Sequence, residues 1–279
     1  MNMSKAQMHW MVKVFQPEKI VASLPGGASL TEDARAALLG LDPAYYSAEL
    51  ARLTKGAKAA ARELLADPDV AAMVDRLPLG AGARVYAFGD SRSSDPQSWA
   101  VILGELIAAR RPQDNISIIA SAVSGDTTTH GLIRIAEVLA GRPDWVLFFL
   151  GLNDARTQGP EPTKTIVHQQ ETARNLAELR ARVARETGAR RLWVTPVAVN
   201  ESQVANHWAL SHFGVRFRNS DIAQVAAAMR GLGDPVVDLF QRLDAQSLDG
   251  LLMDDGLHFT EAGQQRIALE IVRSWCELK

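Results

Sequence analysis

From residue 84 onward, short apolar runs alternate with longer amphipathic stretches, and this alternation limits the possible folds more than any other feature. The runs are 84–88 "RVYAF", 116–120 "ISIIA", 145–150 "WVLFFL", 191–195 "RLWVT" and 235–239 "PVVDL". They are rich in β-branched or aromatic residues and lack clean in–out alternation, the pattern of strands buried on both faces. Between them lie helical stretches. One starts at Asp95-Pro96 and carries Trp99, Ile102, Leu103, Leu106 and Ile107 at helical spacing. Others are predicted over 127–140, over 163–187 with Gly188 as a stop, over 220–230 with Gly231, and over 260–276 after a Thr260 cap. Strands separated by helices imply right-handed crossovers and a parallel sheet covered on both faces. Ligands of such sheets sit beyond the C-terminal ends of the strands. Function is therefore expected at residues 89–91, 121–126, 151–154 and from 196 on.

Before residue 80 the pattern is helical. Ser29 and Glu32 have capping-box spacing, and Asp42-Pro43 and Asp67-Pro68 each read as an N-cap followed by Pro. The Ala-rich segment between the two Pro residues suits one long helix. "HWMVKVF" (9–15) fits either a helix or a strand. The chain thus divides into a helical extension, 1–80, and an α/β domain, 81–279. Leu38, Leu41, Leu50, Leu53, Leu64 and Leu65 need a partner surface, either on the α/β domain or on a second copy. The second case would make the protein a homo-oligomer through its N-terminal helices.

Three expected strand ends carry Gly with small polar residues: "GDS" (89–91), "SGDTT" (124–128) and "GLND" (151–154). "DDGLH" (254–258) precedes the last helix. Singly, each reads as a turn, because Gly supplies positive φ and Asp, Asn and Ser bond their own backbone. Together they hold the parts that acyl transfer needs: a nucleophile, a base, a group that orients the base, and donors for an oxyanion. Ser91 can attack, His258 can take its proton and Asp255 can orient the imidazole. Gly125 offers an unshielded N–H and Asn153 an amide. Asp90 and Asp154 read as carboxylates that tie their own loops.

The set "FGDS", "SGDTT", "GLND" and "DGLH", in this order over about residues 84–275, resembles the SGNH (GDSL-type) hydrolases. The resemblance implies a three-layer α/β/α fold on a five-stranded parallel sheet, which agrees with the strand and helix pattern. It implies Ser91 as nucleophile, His258 as base and Asp255 as its partner. The Ser91 N–H, the Gly125 N–H and the Asn153 amide would form the oxyanion hole. Arg92 stands where the family's name-giving motif has Leu. No Gly-x-Ser-x-Gly elbow is present, which disfavours the α/β-hydrolase fold.

Other function classes are disfavoured by composition. The formal net charge of −2 gives no basic footprint for nucleic acid. The longest apolar run is far too short to cross a bilayer, and the N-terminal residues lack a signal-peptide core, so a cytoplasmic protein is expected. The lone Cys276 excludes an internal disulfide, and the six histidines lack metal-ligand spacing. No metal or cofactor is implied. The stretch 200–221 should rise at the active edge, and its Trp208 and Phe213, with Arg92, are the candidate substrate-binding residues. Arg156 adds positive charge nearby. The expected function is a serine esterase acting on short or polar acyl esters. An acyltransferase with the same site and a non-catalytic binding protein on the same fold are the alternatives.

Overall fold

The computed structural model describes residues 3–22, 24, 26–243 and 248–278. Five strands form one sheet: β1 (Arg84–Gly89), β2 (Ser117–Ala122), β3 (Trp145–Phe149), β4 (Arg190–Val194) and β5 (Val236–Val237). Their order is β2-β1-β3-β4-β5 and every pairing is parallel. This is a doubly wound sheet whose strand order reverses beside β1, between its neighbours β2 and β3, and the reversal opens a crevice at the carboxyl edge.

Successive residues of the central strands point to opposite faces, and both faces are buried. Val85, Ala87, Leu147 and Phe149 enter one apolar cluster, while Tyr86, Phe88, Val146 and Phe148 enter another. The first cluster is closed by helices Pro43–Leu65 (α2), Pro68–Asp75 (α3), Trp99–Arg110 (α4) and Glu261–Trp275 (α8). The second is closed by Thr128–Ala140 (α5), Gln169–Glu186 (α6) and Asn219–Arg230 (α7). The three-layer α/β/α architecture is the one the strand–helix alternation calls for. Among the described residues, no helix is long and apolar enough to cross a membrane.

The N-terminal segment packs on this frame. Ala57, Ala60 and Ala61 of α2 lie in the first cluster, where small side chains let α2 come close to α4 and α8. Leu41 and Leu53 are buried with Val12 and Tyr46 in a smaller cluster, and Leu50, Leu64 and Leu65 are partly buried. Leu38 is exposed. Asp42 and Asp67 cap their helices with side-chain bonds to the N–H of Tyr45 and Asp69. "HWMVKVF" belongs to the helix Lys5–Val14 (α1), whose Ser4 and Gln7 form a reciprocal capping box.

Several element boundaries differ from the sequence reading, each for a local reason. Ser29 lies in a one-turn 3₁₀ segment, and Thr31 caps the following helix by accepting from the Ala34 N–H. The helix expected at Asp95-Pro96 begins at Trp99, because Asp95 accepts from Gln97 N–H and turns toward Lys13 and Gln264 instead. The helix expected from 163 begins at Gln169, since Thr165 bridges to Thr157 and His168 takes the N-cap. The strand expected over 235–239 is cut to two residues by Asp238, which caps the next turn through Gln241 N–H.

Candidate active site

Strand β1 ends in a short helical turn, Ser91–Ser94. Gly89 is required there by crowding. A Cβ at this position would lie 2.7 Å from the Phe149 carbonyl oxygen and 2.5 Å from Ser93 Oγ. Asp90, buried and extended, caps the turn by accepting from the Arg92 N–H at 3.1 Å. Burial pushes its carboxyl up to about 6 against the pull of Arg92. Its bonds are those of a loop-tying carboxylate.

The turn presents Ser91 to the loop before α8. Ser91 Oγ lies 3.0 Å from His258 Nε2, and His258 Nδ1 lies 2.5 Å from Asp255 Oδ2. Asp255 Oδ1 accepts from the N–H groups of Leu257 and His258, each at 2.8 Å. Trp10 Nε1, 245 residues away in sequence, donates to Asp255 Oδ2 at 2.6 Å. Burial pushes the Asp255 carboxyl up, but the electrostatic pull of the His258 ring and the hydrogen bonds from His258 and Trp10 outweigh it and hold it well below the usual range. An ionised Asp255 accepts from Nδ1–H and leaves Nε2 as the acceptor facing the serine hydroxyl. Such an arrangement can move a proton from Ser91 Oγ to the imidazole.

The loop after β2 and the turn after β3 meet at the same edge. Gly125 has φ of +85°, in the left-handed region that favours glycine, and its Cα faces open space. Asn153 Nδ2 donates to the Asp126 carbonyl at 3.0 Å. That bond uses one amide hydrogen, fixes the side chain beside the Gly125 loop and leaves the second hydrogen for another acceptor. Asp154 anchors the turn from behind by accepting from Thr128 N–H at 2.9 Å, Thr172 Oγ1 at 3.0 Å and the Thr128 hydroxyl. Arg134 pairs with Asp126 at 2.5 Å and donates to the Gly89 carbonyl at 3.3 Å, so it joins the ends of β1 and β2.

The structure does not bring all the candidate substrate-binding residues to this edge. Arg92 is turned inward and fully buried. It donates to the carbonyls of Val197 at 3.3 Å and Leu257 at 3.0 Å and lies over the Phe259 ring. It clamps the Asp255–His258 loop to the turn that bears Ser91 and has no exposed face for a substrate. Phe213 is 63% exposed, and its described contacts are with His212 and Gln158. Trp208 does reach the centre's surroundings. Its ring packs on Trp10, which also touches His207 and His258. His207 is buried, and among the described residues neither ring nitrogen has a partner.

Trp10 and Arg134 carry signals too weak to stand out in the sequence: Trp10 sits in the ambiguous "HWMVKVF" run and Arg134 lies mid-helix. His207, beside Trp208 and five residues before His212, reads as a pocket-lip or core histidine, and it is buried next to Trp10.

This scaffold and its carboxyl edge define a carboxylic ester hydrolase of the SGNH type. Residues 85–266 match the GDSL-like lipase/acylhydrolase family, and the chain belongs to that family. Comparison with curated protein sequences gives no match. Among solved structures, a lipase/acylhydrolase from Enterococcus faecalis is 24% identical, with a TM-score of 0.56 over 70% of this chain and 95% of that one. A catalytic mutant of Axe2, an acetylxylan esterase from Geobacillus stearothermophilus, is 17% identical, with a TM-score of 0.54 over 72% of this chain and 97% of that one. At these identities the likeness is one of fold.

Proposed function

We propose that the protein hydrolyses short or polar acyl esters with Ser91 as nucleophile, His258 as general base and Asp255 as its orienting partner. The observation that carries this reading is the unbroken hydrogen-bonded series Ser91 Oγ, His258, Asp255. Ser91 Oγ attacks the ester carbonyl carbon as His258 Nε2 takes its proton. The carbonyl oxygen becomes negative and is met by the N–H groups of Ser91 and Gly125 and by the free Asn153 amide hydrogen. Collapse breaks the bond to the alcohol, which leaves with the proton held on His258. Water, deprotonated by the same imidazole, then attacks the acyl-serine, releases the acid and restores Ser91.

Restricted access supports the substrate class. Ser91 and His258 are only 7% and 6% exposed, so little of the pair is open to an approaching ester, and we take this as favouring small ones. The unpartnered His207 nitrogens near the centre favour a polar alcohol or acyl group, because such atoms gain from a partner. Acyl transfer differs only in that an alcohol replaces water in the second half.

A panel of esters graded by acyl length tests this reading. Acetyl to butyryl esters should turn over fastest, and Ser91→Ala should lower the rate by at least about 10⁴-fold. An added alcohol acceptor shows whether free acid or a new ester is formed. Turnover that survives Ser91→Ala would remove the serine mechanism.

A further inference from the structure

Helix α1 precedes the segment that matches the family, yet it reaches the centre of the proposed site. We propose that Trp10 is a positioning residue for the esterase reaction: its indole N–H holds Asp255 Oδ2 in line with His258, so the N-terminal segment completes the active centre. The inference rests on the assignment of Asp255 and His258 above.

The geometry is specific. Asp255 Oδ1 is fixed by two backbone N–H groups, and Oδ2 takes two donors, His258 Nδ1 and Trp10 Nε1. Without the indole, that oxygen would have only the imidazole to fix it. Trp10 is itself buried, and its ring packs against Phe15, His207, Trp208 and His258. Its orientation is therefore set by packing as well as by the hydrogen bond.

The segment that carries Trp10, α1 together with the residues just after it, is tied to the turn that bears Ser91. Lys13 Nζ is 2.6 Å from Asp95 Oδ2, with both side chains buried. Ser94 Oγ donates to Gln16 Oε1 at 2.5 Å, and Lys19 Nζ donates to the Ser94 carbonyl at 2.9 Å. Buried charges and hydroxyls are paired in this way only in one register, since a shifted helix would strand them. The same contacts that dock α1 thus place Trp10 between the serine turn and the acid loop.

The test uses the full chain and two measurements. Trp10→Phe keeps a ring and removes the N–H. It should lower kcat about tenfold, the loss of roughly one hydrogen bond to a charged group, with KM changed less than twofold. In an Asp255→Asn background the same substitution should cost almost nothing, because its target is already gone. An equal fall in both backgrounds, or no fall in either, would overturn the proposal. The second measurement needs no variant. Modifying Ser91 with a fluorophosphonate perturbs His258, and the Trp10 indole N–H resonance of the wild type should shift through Asp255. An unmoved resonance on a fully modified enzyme would also overturn it. Failure of the wild type to react at Ser91 would instead sink the esterase reading on which the proposal rests.

Discussion

His258→Ala should lower kcat by about 10⁶-fold, and Asp255→Asn by about 10⁴-fold, with both proteins expected to stay folded. The first removes the proposed base, the imidazole 3.0 Å from Ser91 Oγ, and the hydroxyl would then attack without transferring its proton. The second is nearly isosteric, and its effect follows from the donors around the carboxylate. The N–H groups of Leu257 and His258 both need an acceptor at Oδ1, so the Asn oxygen settles there. The Asn NH₂ then faces His258 Nδ1 and the Trp10 N–H. To avoid donor against donor, the imidazole must carry its hydrogen on Nε2, where it can no longer accept from Ser91. Measuring kcat and the thermal midpoint on one preparation of each variant checks this. A His258→Ala enzyme with near wild-type kcat would require another base, and an Asp255→Asn enzyme with full activity would show that tautomer control lies elsewhere.

The second large effect is at Asn153. An amide that donates to the developing oxyanion gains strength as charge builds, so its value lies in the transition state. Asn153→Ala should lower kcat by about 10²–10³-fold and leave KM nearly unchanged. Asn153→Asp should be as bad or worse. It places a carboxylate against the Asp126 carbonyl, which accepts from the native amide, and next to the place where a second negative charge forms. If the amide served only to tie its loop, Asn153→Ala would instead lose about 1 kcal/mol of stability and keep its rate per folded molecule. The melting temperature and the kcat–KM pair together separate these outcomes.

What could be read from the sequence was whatever depends on short-range pattern. Strands buried on both faces declare themselves as continuous apolar runs, and the sheet they imply told us where its ligand edge must be. Ser91, Gly125, Asn153, Asp255 and His258 stand out as candidates because each lies in a Gly-containing loop at that edge. The inward turn of Arg92, a candidate substrate contact, is not legible locally, because nothing in the sequence around Ser91 signals a buried arginine. Its burial is decided by the Val197 and Leu257 carbonyls, more than a hundred residues away. Trp10 was invisible for the same reason, since only the docking of α1 shows that its N–H meets a carboxylate. The start of α4 shows the limit locally. Asp95-Pro96 has the right residues for a cap, but a buried lysine from α1 claims the carboxylate.

Labelling with a fluorophosphonate, followed by peptide mapping, tests the central claim most directly. Only a serine whose proton can be withdrawn attacks such a reagent at an appreciable rate. The account predicts stoichiometric labelling of Ser91 in the full-length protein, no label elsewhere, and loss of labelling in His258→Ala. A label on another serine, or an unlabelled Ser91 in folded enzyme, would contradict it.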